Sequence, residues 1–302
     1  MNPLPVGSHA ATTGAALRAL APAERSLLAV LTGNAYDDAL LRYAASWVES
    51  AETPTVRPAE RTPVATRSGK DLCVSVPQAV QSLRLPSGQR LAPPDLLARS
   101  AAGDIDALLV GEAGARALAC DLVRRAGCSV WFVPEGANPI TRRLLVPVDF
   151  SLPAADSLRV AAVLARLCGA NECIVLHVYF DDAYLSGSWG QQAVQRSVWT
   201  AFDRFMKPID TLGVKLTPCF AEATDLPRTI REVASTRQAD LIVMSSRGRS
   251  GAAALWQPTV AEQTLLTTAI PLLAVKHFGA ARGFLSLLAE RLRTPPAGLR
   301  CN

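Results

Sequence analysis

The stretch of this chain best equipped for chemistry is residues 240–277, DLIVMSSRGRSGAAALWQPTVAEQTLLTTAIPLLAVKH. An apolar run, Leu241 to Met244, ends in a small polar loop, and the loop feeds a helix at the spacing Ser245-x2-Gly248-x9-Pro258-Thr259. Thr259-Val-Ala-Glu262 is a capping box, with the Thr oxygen on a first-turn N–H and the Glu folding back. Strand, flexible loop and helix N-terminus together make a phosphate cradle, because the unpaired N–H groups and the helix dipole favour anions. Gly248, Ser250 and Gly251 allow a tight path near a phosphate, and Arg247 and Arg249 add charge, although either Arg equally suits a solvated surface. Pro258 works against the cradle, since it removes a main-chain donor and fixes φ.

A second candidate is Asp149 in LVPVDFS, just past an apolar strand, where doubly wound sheets bind ligands. The same carboxylate equally fits a helix N-cap or a turn. No nucleophile–base pair can be nominated: the three histidines are His9 in the N-terminal stretch, His177 in an apolar strand, read as a packed core residue, and His277 at a strand end. No catalytic residue is expected and the chain reads as a non-enzyme. The seven cysteines are scattered and none forms a C-x2-C pair, so free thiols in a reducing compartment are expected and a metal site is not. A net charge of +5 without basic residues interleaved with aromatics argues against nucleic acid. Without a basic, apolar start or an apolar run of ~20 residues, the reading is cytoplasmic and off the membrane.

The elements that position these residues occur twice. LLAVLTGNAYDDALLRYAA (27–45) lies without a gap on LLVPVDFSLPAADSLRVAA (144–162). Asp106–Gly111 lies on Asp240–Ser245, Gly114 on Gly248, and Cys128–Val133 on Ile270–Val275. Strands alternating with helices predict an α/β chain of two tandem, doubly wound, Rossmann-like parallel sheets. The second copy reads as strand 143–148, helix 153–168, strand 173–179, helix 191–211, strand 214–220, helix 226–236, strand 240–244, helix 259–268 and strand 271–277. The first copy reads as eroded. Its Pro/Thr/Arg-rich segment TPTVRPAERTPVATRSGK suggests a loop in place of a strand–helix pair, with LCVSV (72–76) as the candidate strand. Thr32 stands where Asp149 stands, and the path from Gly114 to the last strand is eight residues shorter than from Gly248. The predicted organisation is a flexible tail at 1–24, domains at 25–136 and 141–278, and a C-terminal helix and tail at 279–302.

The order of these motifs resembles the universal stress protein family, well over 142–277 and in outline over 26–134. In that family the loop reads G-x2-G-x9-G-[ST] and wraps the phosphates of ATP; here Ser245 and Pro258 replace two of the three glycines. The resemblance implies a nucleotide site of Pro147, Val148, Asp149, Val178, Met244, Ser245, Gly248, Thr259 and Val260, with ATP as the cofactor. It also implies that 271–277 pairs with 129–134 to form an internal pseudo-dimer. Two functions follow: an adenine-nucleotide-binding stress-response protein, or a nucleotide-independent scaffold that keeps the fold and binds a protein partner or another copy.

Overall fold

The computed structural model describes residues 26–32, 36–52, 80–85, 89–102, 105–112, 115–180, 183–247 and 258–276. In chain order the strands are β1 (Ser26–Leu31), β2 (Val80–Arg84), β3 (Ile105–Gly111), β4 (Ser129–Val133), β5 (Arg143–Pro147), β6 (Glu172–Tyr179), β7 (Leu216–Glu222), β8 (Leu241–Ser245) and β9 (Leu272–Val275). The helices are α1 (Asp37–Glu52), α2 (Pro94–Ala102), α3 (Arg116–Arg125), α4 (Leu152–Cys168), α5 (Ala183–Met206), α6 (Leu226–Thr236) and α7 (Val260–Thr267). All the strands share one sheet, in the order β2-β1-β3-β4-β9-β8-β5-β6-β7. Neighbours run parallel except β4 and β9, which pair antiparallel through Val130↔Ala274, Trp131↔Leu273 and Phe132↔Leu272.

Alternation along each strand divides the apolar side chains between two faces, because successive residues point to opposite sides of a sheet. Leu28, Val30, Leu108, Val130, Leu145, Ile242 and Leu272 pack under α2, α3, α6 and α7. Leu27, Ala29, Leu109, Trp131, Leu144, Val243 and Leu273 pack under α1, α4 and α5. The result is a helix–sheet–helix layering with a core on each face. Gly127 allows α2 to dock: a Cβ there would meet Ala101 Cα at 2.4 Å, and its N–H instead donates to Ser100 Oγ at 2.9 Å.

Three features depart from the sequence reading. The first half does contain a strand–helix pair between α1 and β3, namely β2 and α2. Its signal was the period-two burial of Leu83 and Leu85 against exposed Ser82 and Arg84, with Pro94 opening the helix, where a missing N–H costs nothing. β2 pairs directly with β1, in the place β6 holds beside β5. Helix α5 runs over Ala183–Met206 and not about 191–211; it stops at Met206 because Pro208 cannot continue a helix and disfavours helical geometry at the residue before it. His177 is half-buried and hydrogen-bonded, as described below, and not simply packed in the core. The candidate strand 72–76, His277, the N-terminal tail and the C-terminal helix lie outside the described residues.

No disulfide joins the cysteines among the described residues, and Cys128 and Cys173 are buried. Burial pushes the Cys173 thiol up to about 12, which keeps it protonated and unreactive. Among the described residues no helix is long and apolar enough to cross a membrane, and no group of three His, Cys, Asp or Glu gathers to hold a metal.

Candidate functional site

β5 and β8 are neighbours, yet their ladder holds only Leu144↔Leu241 and Leu145↔Ile242. Beyond those rungs each strand follows its other neighbour. Val148 N donates to Leu176 O of β6 at 2.8 Å, and Ser246 N donates to Val275 O of β9 at 2.9 Å. The strands part because of Pro147. Arg143 O accepts Asp240 N on the β8 side, and alternate residues of a parallel strand aim their main-chain groups the same way. Residue 147 therefore faces β8 with a ring nitrogen that has nothing to donate. A crevice opens at the carboxyl ends of the two strands, where the chain switches from building outward through β6 and β7 to building back through β8. That is the place in an open α/β sheet where ligands bind.

The repeat provides an internal control. Leu27↔Ala107 and Leu28↔Leu108 match the two rungs of β5 and β8, but the first half continues through Ala29↔Leu109 and Val30↔Val110. Val30, the counterpart of Pro147, has an N–H and the seam stays closed. The first half also carries its own anion beside the start of α3. Glu112 takes the Glu135 N–H at 2.9 Å and Arg116 Nε at 2.8 Å. Burial alone would raise the Glu112 pKa; the Glu135 N–H and the Arg116 guanidinium outweigh it and hold the carboxyl below its ordinary value.

On one lip of the second-half crevice, Asp149 Oδ1 accepts Ser151 N at 3.1 Å and the Ser151 hydroxyl at 2.5 Å. Ser151 Oγ in turn accepts Ala154 N at 3.3 Å as the N-cap of α4. The turn depends on Phe150 at φ 63°, a left-handed conformation unusual for a bulky side chain. Stored strain of this kind clusters at functional sites. The Phe150 ring stacks on His177 with centroids 4.0 Å apart, and His177 Nδ1 lies 2.9 Å from Val148 O. Strand β6 thus braces the turn that presents Asp149.

On the other side, α7 runs back along the sheet, so its N-terminus opens at the same edge. The expected capping box is present: Glu262 N donates to Thr259 Oγ1 at 3.2 Å and Thr259 N donates to Glu262 Oε2 at 2.7 Å. Glu262 is buried, and its other oxygen accepts Arg124 Nε from the first half at 2.8 Å.

The expected site residues thus fall along one edge of the sheet. Pro147, Val148 and Asp149 form one lip, Ser245 ends β8 on the other, and Val178 stands near the end of β6. Thr259 and Val260 begin α7, while Met244 is a buried core side chain of the α2/α3/α6/α7 face. Gly248 lies outside the described residues. Sequence reading did not find Phe150, Ser151 or Arg124. A bulky residue beside an Asx-type turn signals the first two; Arg124 had no local signal, being far from Glu262 in the chain.

A mostly parallel sheet covered by helices on both faces defines the doubly wound α/β class. Residues 141–276 match the family model described as universal stress protein family, and this part of the chain is a domain of that family. A functionally unknown protein from Pseudomonas aeruginosa PAO1 covers 97% of this chain and 94% of its own, at 16% identity and TM-score 0.50, and shares the fold along almost the whole length. A universal stress protein from Archaeoglobus fulgidus DSM 4304 is 16% identical over 68% of this chain and 71% of its own, with TM-score 0.45. A universal stress protein in complex with cAMP is 18% identical over 45% of this chain and 98% of its own, with TM-score 0.35. No curated protein matches the chain.

Proposed function

We propose that the second half binds an adenine nucleotide such as ATP, with its adenosine end in the crevice between β5 and β8 and its phosphates toward α7. In this reading residues 141–278 are the ligand-binding domain of a cytoplasmic stress-response protein. Residues 25–136 form a structural domain that completes an internal pseudo-dimer through β4 and β9. The observation that carries the proposal is the early end of the β5–β8 ladder at Pro147, set against the closed β1–β3 ladder of the other repeat. Asp149 stands at the lip of that opening, and the adenine part of the reading rests on the family resemblance.

Calorimetric titration with Mg·ATP tests it, beside Asp149→Asn. Asparagine keeps the oxygen that Ser151 uses and removes the charge. Micromolar binding by the native chain, weakened about tenfold or more in the variant, is expected. Absence of heat at millimolar ATP refutes the proposal. The nucleotide-independent scaffold would then take its place, a reading favoured by one observation: Ser151 already engages Asp149 and ties it to the cap of α4.

A further inference from the structure

Arg124 of the first half and Lys276 of the second lie near the start of α7, and the chain carries Arg247 out of β8 next to Lys276. Arg124, at the end of α3, places Nε and Nη2 each 2.8 Å from Glu262 Oε1. Glu262 Oε2 in turn holds Thr259 N at 2.7 Å, so the Arg124 guanidinium is one carboxylate removed from the start of α7. Lys276 follows β9; its main-chain N donates to Ser129 Oγ at 3.2 Å, and Nζ lies 3.4 Å from the carbonyls of Val123 and Arg124. Arg247 leaves β8 beside it, because Ser245 pairs with Val275 and Ser246 N bonds Val275 O. Among the described residues the carboxylate contacting this group is Glu262, whose side chain is 2% exposed, whereas Arg124 is 54% exposed. Arg124 thus pairs with a carboxylate already engaged on both oxygens, while Lys276 meets only main-chain carbonyls and has Arg247, just past the next strand, as its neighbour.

We propose that Arg124, Arg247 and Lys276 form a phosphate-binding cluster, so that side chains from both halves hold the phosphate tail of the ligand. The proposal rests on the nucleotide reading for its position, since the cluster lies on the same sheet edge as the crevice. Its chemistry follows from the charges. Like charges held together leave a deficit that a polyanion fills, and a half-exposed guanidinium offers further donors in the fork geometry that suits phosphate. Burial and the neighbouring Arg247 hold the Lys276 ammonium below its usual range, in keeping with a site short of negative charge. The first half, with its own β1–β3 seam closed, contributes Arg124 to the ligand site of the second.

The same phosphate chemistry is offered by a nucleotide tail and by free inorganic polyphosphate. The native chain, Arg247→Ala and the double variant Arg124→Ala/Glu262→Gln are each titrated with ATP, AMP and inorganic tripolyphosphate. The Gln leaves no unpaired buried charge and still accepts Thr259 N; Arg247 is exposed, so its loss leaves the fold intact. Each variant is expected to weaken ATP binding about tenfold while changing AMP binding less than about threefold, with a shallower dependence on salt. ATP affinity unchanged in both variants overturns the cluster and leaves the nucleotide reading standing. Tripolyphosphate binding that the variants lose, without binding of either nucleotide, upholds the cluster and sinks the nucleotide reading. If none of the three ligands binds the native chain, both fall.

Discussion

Arg116 ties the two halves together, and Arg116→Ala measures how strongly. Its Nη1 donates to Leu265 O at 2.6 Å and its Nη2 to Thr268 O at 2.9 Å, so a residue of α3 closes the carboxyl end of α7 across the seam. The same guanidinium pairs with Glu112 and lies 4.9 Å from the centre of the Phe132 ring. Hydrogen bonds from a charged donor contribute about 1.5–3 kcal/mol each. The side chain is 25% exposed, so the lower end applies, giving about 3 kcal/mol for the two carbonyl bonds. The ring contact adds about 0.5–1 kcal/mol and the Glu112 pair up to about 1 kcal/mol, while releasing a long side chain returns about 1–2 kcal/mol of entropy. The expected net loss is about 3 kcal/mol. Arg116→Lys keeps the charge but not the fork, and should lose roughly half as much. Urea unfolding followed by the fluorescence of Trp131, buried on the β4 side of the seam, reads both variants. A loss below about 1 kcal/mol for the alanine variant, or no loss for the lysine, would refute the assignment of Arg116 as a cross-seam cap.

Two other substitutions examine the site and its counterpart. Pro147→Val gives β5 the donor it lacks. One new main-chain bond, about 1 kcal/mol, roughly offsets the unfolded-chain entropy that proline removes, so stability should change by less than about 1 kcal/mol. Nucleotide affinity should nevertheless fall about tenfold as the strands zip toward Met244, and an unchanged Kd in titration would count against the splayed ladder as the site. Glu112→Gln tests the internal anion of the first half. The folded pKa lies below the ordinary value of 4.5, so the stabilisation is fully present above that pH and is lost as pH falls through the lower folded value. The native chain should therefore be more stable than the variant at neutral pH. The gap should close under acid, and a gap independent of pH would show that the charge contributes nothing.

Much of the fold was legible along the chain. The doubled strand–turn–helix pattern, the alternation that covers both faces of the sheet, and the Thr259–Glu262 box are properties of neighbouring residues. Local sterics and hydrogen bonding set them before any tertiary contact forms. Their reach is a few residues, and so was the reading: helix α6 lay at 226–236 as expected, because Asp225 caps it and Pro227 suits its first turn. The strand–helix pair β2 and α2 was harder to see, since two buried leucines in a five-residue strand are too few to outweigh polar surroundings. What only the folded chain decided is which lips meet. Pro147 is a proline in any context, yet its missing N–H opens a crevice only because strand order brings β8 to that side. Arg124 and Glu262 become partners only because β4 and β9 pair antiparallel and lay α3 beside α7, joining residues far apart in the chain. Such contacts depend on topology and not on local pattern, so a linear reading names candidate residues and the tertiary structure determines which of them lie together.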